Sequence, residues 1–111
     1  AAGGYVVLSR IAESMFWIGR YVERAEDTAR ILDVQTQLLL EDAGVDEQQT
    51  CRDLLGSMGV EPEDVPDEVG IDRMLAMLAY DQGSPTSIAN ALAAAREAAR
   101  NATAQDEEAR A

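Results

Sequence analysis

From Leu8 to Glu41 apolar positions recur at helical spacing, with no proline and a single interior glycine, Gly19. Ile11, Met15, Ile18, Val22, Ala25, Ala29 and Leu32 follow one another at alternating steps of four and three. Those steps hold all seven on one side of a helix. Ser9 is placed to cap it, with Glu13 in the first turn near the positive end of the dipole. Asp42-Ala43-Gly44 supplies a stop. The far side of this helix is not a plain charged surface. At about 100° per residue, Glu13, Trp17, Arg20, Arg24, Asp27 and Ile31 share one sector, and Phe16, Glu23 and Val34 line its edge. Charge mixed with a tryptophan predicts that both sides of the helix are occupied.

Three shorter elements follow. Asp46 reads as an N-cap, with Gln49 three residues on completing a capping-box pattern. Cys51, Leu54, Leu55 and Met58 form a stripe that Gly59 ends, and Cys51 on that stripe reads as a buried structural thiol. Val60 to Gly70 has two prolines and five acids, Glu61, Glu63, Asp64, Asp67 and Glu68, and reads as an exposed acidic loop. The acids do not follow the D-x-D-x-D-G spacing of a calcium loop, so no metal site is expected there. Ile71, Met74, Leu75, Leu78 and Ala79 give a third stripe. Ser84-Pro85 then predicts an N-cap followed by proline in the first turn. The fourth helix runs to at least Arg100, with Ile88, Leu92, Ala95 and Ala99 on one side. Residues 1–7 are expected to be a flexible lead-in, 8–102 the helical domain and 103–111 a frayed tail.

This predicts an all-α fold, a bundle of about four helices with one long N-terminal helix. The bundle is unbalanced. The second and third helices span only ~15 Å each against ~50 Å for the first. Part of the first helix would remain uncovered, to be completed by self-association or by further C-terminal sequence.

Composition agrees with close helix packing. Nineteen residues are alanine and only 5% are aromatic. The net charge of −12 argues against nucleic acid and anionic membrane as partners. That charge is concentrated. Residues 41–72 carry eleven acids and only Arg52, whereas residues 1–40 carry five acids and four arginines. With no histidine and one cysteine, a Cys/His zinc site and a Ser–His or Cys–His pair within this chain are excluded. No cofactor is implied. The lone cysteine, and the lack of an apolar run long enough to span a membrane, suit a cytoplasmic protein.

Leu8-Ser9-Arg10, Ala12-Glu13, Trp17, Gly19-Arg20-Tyr21, Glu23-Arg24-Ala25-Glu26 and Ala29-Arg30 together resemble the opening of the bacterial alpha-E domain family. A second patch, Asp81, Pro85, Ser87-Ile88 and Ala95-Arg96-Glu97-Ala98-Ala99-Arg100, is similar to a later part of it. The resemblance implies an all-helical protein of which this chain is the N-terminal portion. It also implies association with ATP-grasp ligases and transglutaminase-like proteins, in the modification of peptide or amide bonds.

Two readings of function follow. In the first the chain is a helical scaffold or interaction domain that forms a homo-oligomer, with Phe16 and Trp17 at an interface. Glu13, Arg20, Glu23, Arg24 and Asp27, with Arg96 and Arg100, then form an ion-pair network that fixes helix register. In the second it is an enzyme or enzyme subunit, and the same Glu/Arg cluster grips a carboxylate- or phosphate-bearing substrate.

Overall fold

The computed structural model describes residues 2–41, 44 and 46–110. Among them there is no strand. The elements are α1 (Ala2–Glu41), α2 (Glu47–Ser57), α3 (Ile71–Leu75, continued by a π-helical turn Ala76–Tyr80) and α4 (Ile88–Arg110), with a 3-10 turn at Pro62–Asp64. The molecule is therefore an all-α bundle with a long N-terminal helix. Its extents are 66 × 26 × 17 Å and its radius of gyration is 18.7 Å, against about 13 Å for a compact domain of this length. The shape is a rod with a thickened end.

The thickened end, or head, is where the large side chains meet. Leu32 of α1 packs with Cys51, Leu54 and Leu55 of α2, Val60 and Val69 of the acidic loop, and Met74 and Leu78 of α3. Asp46 caps α2 by accepting from the Gln49 N–H at 3.3 Å. The reciprocal half of the capping box does not form, because the Gln49 side chain donates to Asp53 instead (2.8 Å). Gly59, at φ 95°, ends α2 in a conformation that suits glycine.

The loop from Val60 is more ordered than its acids suggest. Every acid points outward, while Val60 and Val69 are buried. The Val69 N–H donates to Gln48 Oε1 at 2.6 Å. Arg52, the one base in the acidic segment, donates to the Asp67 carbonyl oxygen. Three valines spaced through the prolines tie the loop to the core, and the carboxylates stay in water.

The rod is the antiparallel pair α1 and α4. The residues of α1 turned toward α4 run Val7, Ile11, Ser14, Ile18, Tyr21, Ala25, Thr28 and Leu32, at steps of four and three. The expected stripe shares Ile11, Ile18, Ala25 and Leu32 with this seam. Met15, Val22 and Ala29 are instead exposed, and Ser14, Tyr21 and Thr28 stand in their place. The face chosen is the one that brings Tyr21 and Arg24 to the edge of α4, where the Arg24 guanidinium donates to Asn90 and lies over the Tyr21 ring, beside the buried alanines Ala91 and Ala95 of α4.

Three boundaries differ from the sequence reading. α1 begins at Ala2, so Ser9 lies inside the helix and the expected lead-in is helical. α4 is capped three residues later than expected, by Ser87. The Ser87 Oγ accepts from the Asn90 N–H (2.9 Å) and donates to the Asp81 carbonyl (2.6 Å), while Ser84-Pro85 forms part of the preceding turn. The tail continues as helix to Arg110. The two extensions explain each other. The antiparallel register sets Arg24 beside Asn90 and Arg10 beside Gln105, so the start of α1 lies alongside the end of α4. Each supplies the neighbour that the other lacks as an isolated helix. Of the expected stop at Asp42-Ala43-Gly44, Asp42 and Ala43 lie outside the described residues.

Candidate functional site

The seam between α1 and α4 has two sides of opposite character. Successive helical residues turn by ~100°, which puts Glu13, Trp17, Tyr21 and Arg24 on one side of it and Leu8, Met15 and Val22 on the other. On α4 the first side carries Asn90, Ala94, Ala98 and Asn101, and the second Leu92 and Ala99. The first side is a grooved polar and aromatic surface. The second carries a row of exposed apolar side chains.

The aromatic residues form a ladder along α1. Phe16 meets Trp17 edge-on at 5.4 Å between centroids, and Trp17 lies tilted against Tyr21 at 5.8 Å. The Arg24 guanidinium carbon sits 5.6 Å from the Tyr21 ring centroid, within cation–π range. The same guanidinium donates to Asn90 Oδ1 of α4 at 3.3 Å. Arg24 is thus held between its own helix and the neighbouring one.

Two hollows flank the ladder. One, of about 560 Å³, lies between α1 and α4. Arg10, Glu13, Trp17 and Tyr21 form its α1 wall, and Glu97, Asn101 and Gln105 its α4 wall, over a floor of Ala94 and Ala98. The other, of about 260 Å³, runs along α1 between Arg20, Glu23, Arg24 and Asp27, and shares Trp17 and Tyr21.

The structure brings Glu13, Arg20, Glu23, Arg24 and Asp27 onto one surface and leaves them in water. The ion pairs formed are local: Arg20 with Glu23 at 3.5 Å, Asp27 with Arg30 at 3.6 Å and Glu97 with Arg100 at 3.9 Å, all between exposed side chains three residues apart. Among the described residues no ion pair joins α1 to α4; the polar link across the seam is Arg24–Asn90. Arg96 and Arg100 do not join Arg20 and Arg24. They line a hollow on the outer side of α4 with Leu92 and Gln82. Phe16 and Trp17 remain exposed, Trp17 at 44%.

Tyr21, Asn90, Asn101 and Gln105 belong to this surface and were not singled out from sequence. Tyr21 could have been, since it lies one helical turn beyond Trp17. The three amides could not, because their place depends on the register of α4. Among the described residues no group of three Cys, Asp or Glu side chains is placed to hold a metal ion. Among the described residues no helix is long and apolar enough to cross a membrane.

Comparison with curated proteins and with solved structures finds no match for the chain. Residues 7–105 match the Alpha-E family, described as a predicted alpha-helical domain with a conserved ER motif. The chain has a single Glu-Arg dipeptide, Glu23-Arg24, and it stands on the grooved side of the α1–α4 hairpin, where Arg24 spans the two helices. With nearly its whole length matched, the protein belongs to the Alpha-E family.

Proposed function

We infer that this chain is a helical interaction domain which assembles through the apolar side of its α1–α4 hairpin. One observation carries this reading: Leu8, Met15 and Val22 of α1 and Leu92 of α4 are 66%, 59%, 40% and 48% exposed on one continuous side. Scattered surface apolar residues need no explanation, but a row repeating every seven residues does. Leu8, Met15 and Val22, continued by Ala29, form a heptad row on α1 beside the stripe that seats α4. That row extends ~30 Å along α1 from Leu8 to Ala29, and a further helical surface fits it.

The occupant best supported is a second copy, which brings the same stripe and forms a two-fold, four-helix layer. The family resemblance adds ATP-grasp ligases and transglutaminase-like proteins as heterologous partners. Light scattering across the micromolar range tests the first point. A dimer mass that falls to one chain in Met15→Glu/Val22→Glu, with helical content retained, supports it. A wild-type mass of one chain sinks self-association, and copurification with an ATP-grasp protein would then be the remaining form of the reading.

A second reading is favoured by the open hollow at Arg20 and Arg24. Two guanidinium groups one turn apart, both reachable from solvent, suit a carboxylate or phosphate on a substrate. Phosphate titration followed by Arg20 and Arg24 side-chain resonances tests it. Shifts no larger than those from matched chloride would remove its support.

A further inference from the structure

We propose that the larger groove between α1 and α4 is a binding site for an organic cation, an alkylammonium or guanidinium group on an apolar stem. The site lies on the side of the hairpin away from the apolar stripe. Its acidic groups come from both helices. Glu13 stands one turn before Trp17 on α1, and Glu97 of α4 lines both this groove and the outer hollow that holds Arg100. Glu13 makes no ion pair within 4 Å among the described residues, and the pair between Glu97 and Arg100 is long at 3.9 Å.

Trp17 lines the same groove as these carboxylates, is 44% exposed, and is the aromatic side chain that attracts cations most strongly. Ala94 and Ala98 form a shallow apolar floor that fits a methylene stem. Gln105, at the end of the groove, has a side-chain Oε1 that is shut off from solvent and has no hydrogen-bond partner. An acceptor in that state carries the cost of lost hydration with nothing in return. A rotation of its terminal amide toward the groove would let it accept from an N–H of the bound group.

The groove's own cation is Arg10, one turn before Glu13 at the Gln105 end. It makes no ion pair within 4 Å among the described residues, so it leaves Glu13 unmatched. An anion in the same place would face both Glu13 and Glu97. The anion reading therefore belongs to the Arg20–Arg24 hollow, and the cation to this one.

Trp17 is the chain's one tryptophan, so its fluorescence reports directly on the groove. The full chain is titrated at constant ionic strength with agmatine, which carries a guanidinium and an ammonium on a butyl stem. Inorganic phosphate, 1-butanol and potassium chloride are the comparison arms. The expected result is a saturable change with agmatine alone, weakened roughly tenfold or more in Glu13→Gln/Glu97→Gln at unchanged helical circular dichroism. The Gln105 side-chain amide resonance of the unaltered protein should move along the same binding curve. An agmatine response equal to that of chloride overturns the proposal. So does a double variant that binds within about twofold of the parent, or a Gln105 resonance that stays still while Trp17 responds.

Discussion

The head and the hairpin solve the same problem, covering one face of α1, with opposite materials. In the head, Leu55, Val69, Met74 and Leu78 are fully buried around Leu32. In the hairpin the buried residues are Ala25, Thr28, Ala91 and Ala95, Ile11, Ile18 and Tyr21 in the seam are only half-buried, and Leu8, Met15, Val22 and Leu92 lie outside it. Burial of large side chains stabilises in proportion to the area removed from water. Alanines remove little area but allow close backbone approach. The head supplies the stability of the fold, and the hairpin converts its alanine seam into two free surfaces, one grooved and one apolar. The lesson is that hydrophobic content and burial need not coincide along one helix.

Chemical access should separate the two regions most strongly. Burial, with the Glu47 carboxylate as a second cause, pushes the Cys51 thiol above its ordinary range. The thiolate is the reactive form, so at pH 8 the native thiol should be alkylated orders of magnitude more slowly than in urea. What reaction remains should rise with pH later than for an ordinary cysteine. Native-state alkylation at the unfolded rate would show that the head is open.

The next effects are on stability. Leu55→Ala and Met74→Ala should each cost about 2–5 kcal/mol in urea unfolding, with the midpoint moving and the slope unchanged. A loss under ~1 kcal/mol would mean that the head is not the main core. In the hairpin the sensitive direction reverses. Ala91→Leu should overpack the seam and cost about 1–3 kcal/mol, whereas removing the larger Met15 side chain should matter chiefly to assembly. If Ala91→Leu were neutral, the close approach of α1 and α4 would be disproved.

Smaller effects sharpen the join between the two regions. Ser87→Ala removes the cap of α4 and the donor to the Asp81 carbonyl, where the hairpin leaves the head, and should cost ~1 kcal/mol. Thermal melts measure it, and Ser84→Ala should be near neutral beside it. Last, Glu23→Gln removes an exposed pair three residues from its partner and should change stability by only about 0.2–0.5 kcal/mol. A larger loss would mean that Glu23-Arg24 is structural in a way its exposure denies.

The head was the more legible region. Cys51, Leu54, Leu55, Met74 and Leu78 stand on short stripes that permit one inward face, and they lie in the core. In α1 the sequence permits two heptad stripes that share Ile11, Ile18, Ala25 and Leu32. Hydrophobicity favours the one with Met15 and Val22, but the structure places α4 against the one with Ser14, Tyr21 and Thr28. Such a choice depends on a partner some 70 residues away, and no local pattern holds it. The same dependence hid Asn101 and Gln105. It also hid the helical ends, which local propensity assigns to lead-in and tail. At the candidate site the charged and aromatic members on α1 were visible because one helix carries them all; the opposite wall was not.

The alanine seam has a mechanical consequence. An alanine has no rotamer to change, so the α4 side of the contact with α1 cannot be adjusted by repacking side chains, as a leucine interface can. The hairpin should therefore behave as a stiff ruler. It would hold whatever docks beside Trp17 at a set distance, ~20 Å along the axis, from the Leu32 end where the head begins. A partner that grips both would be reading a length.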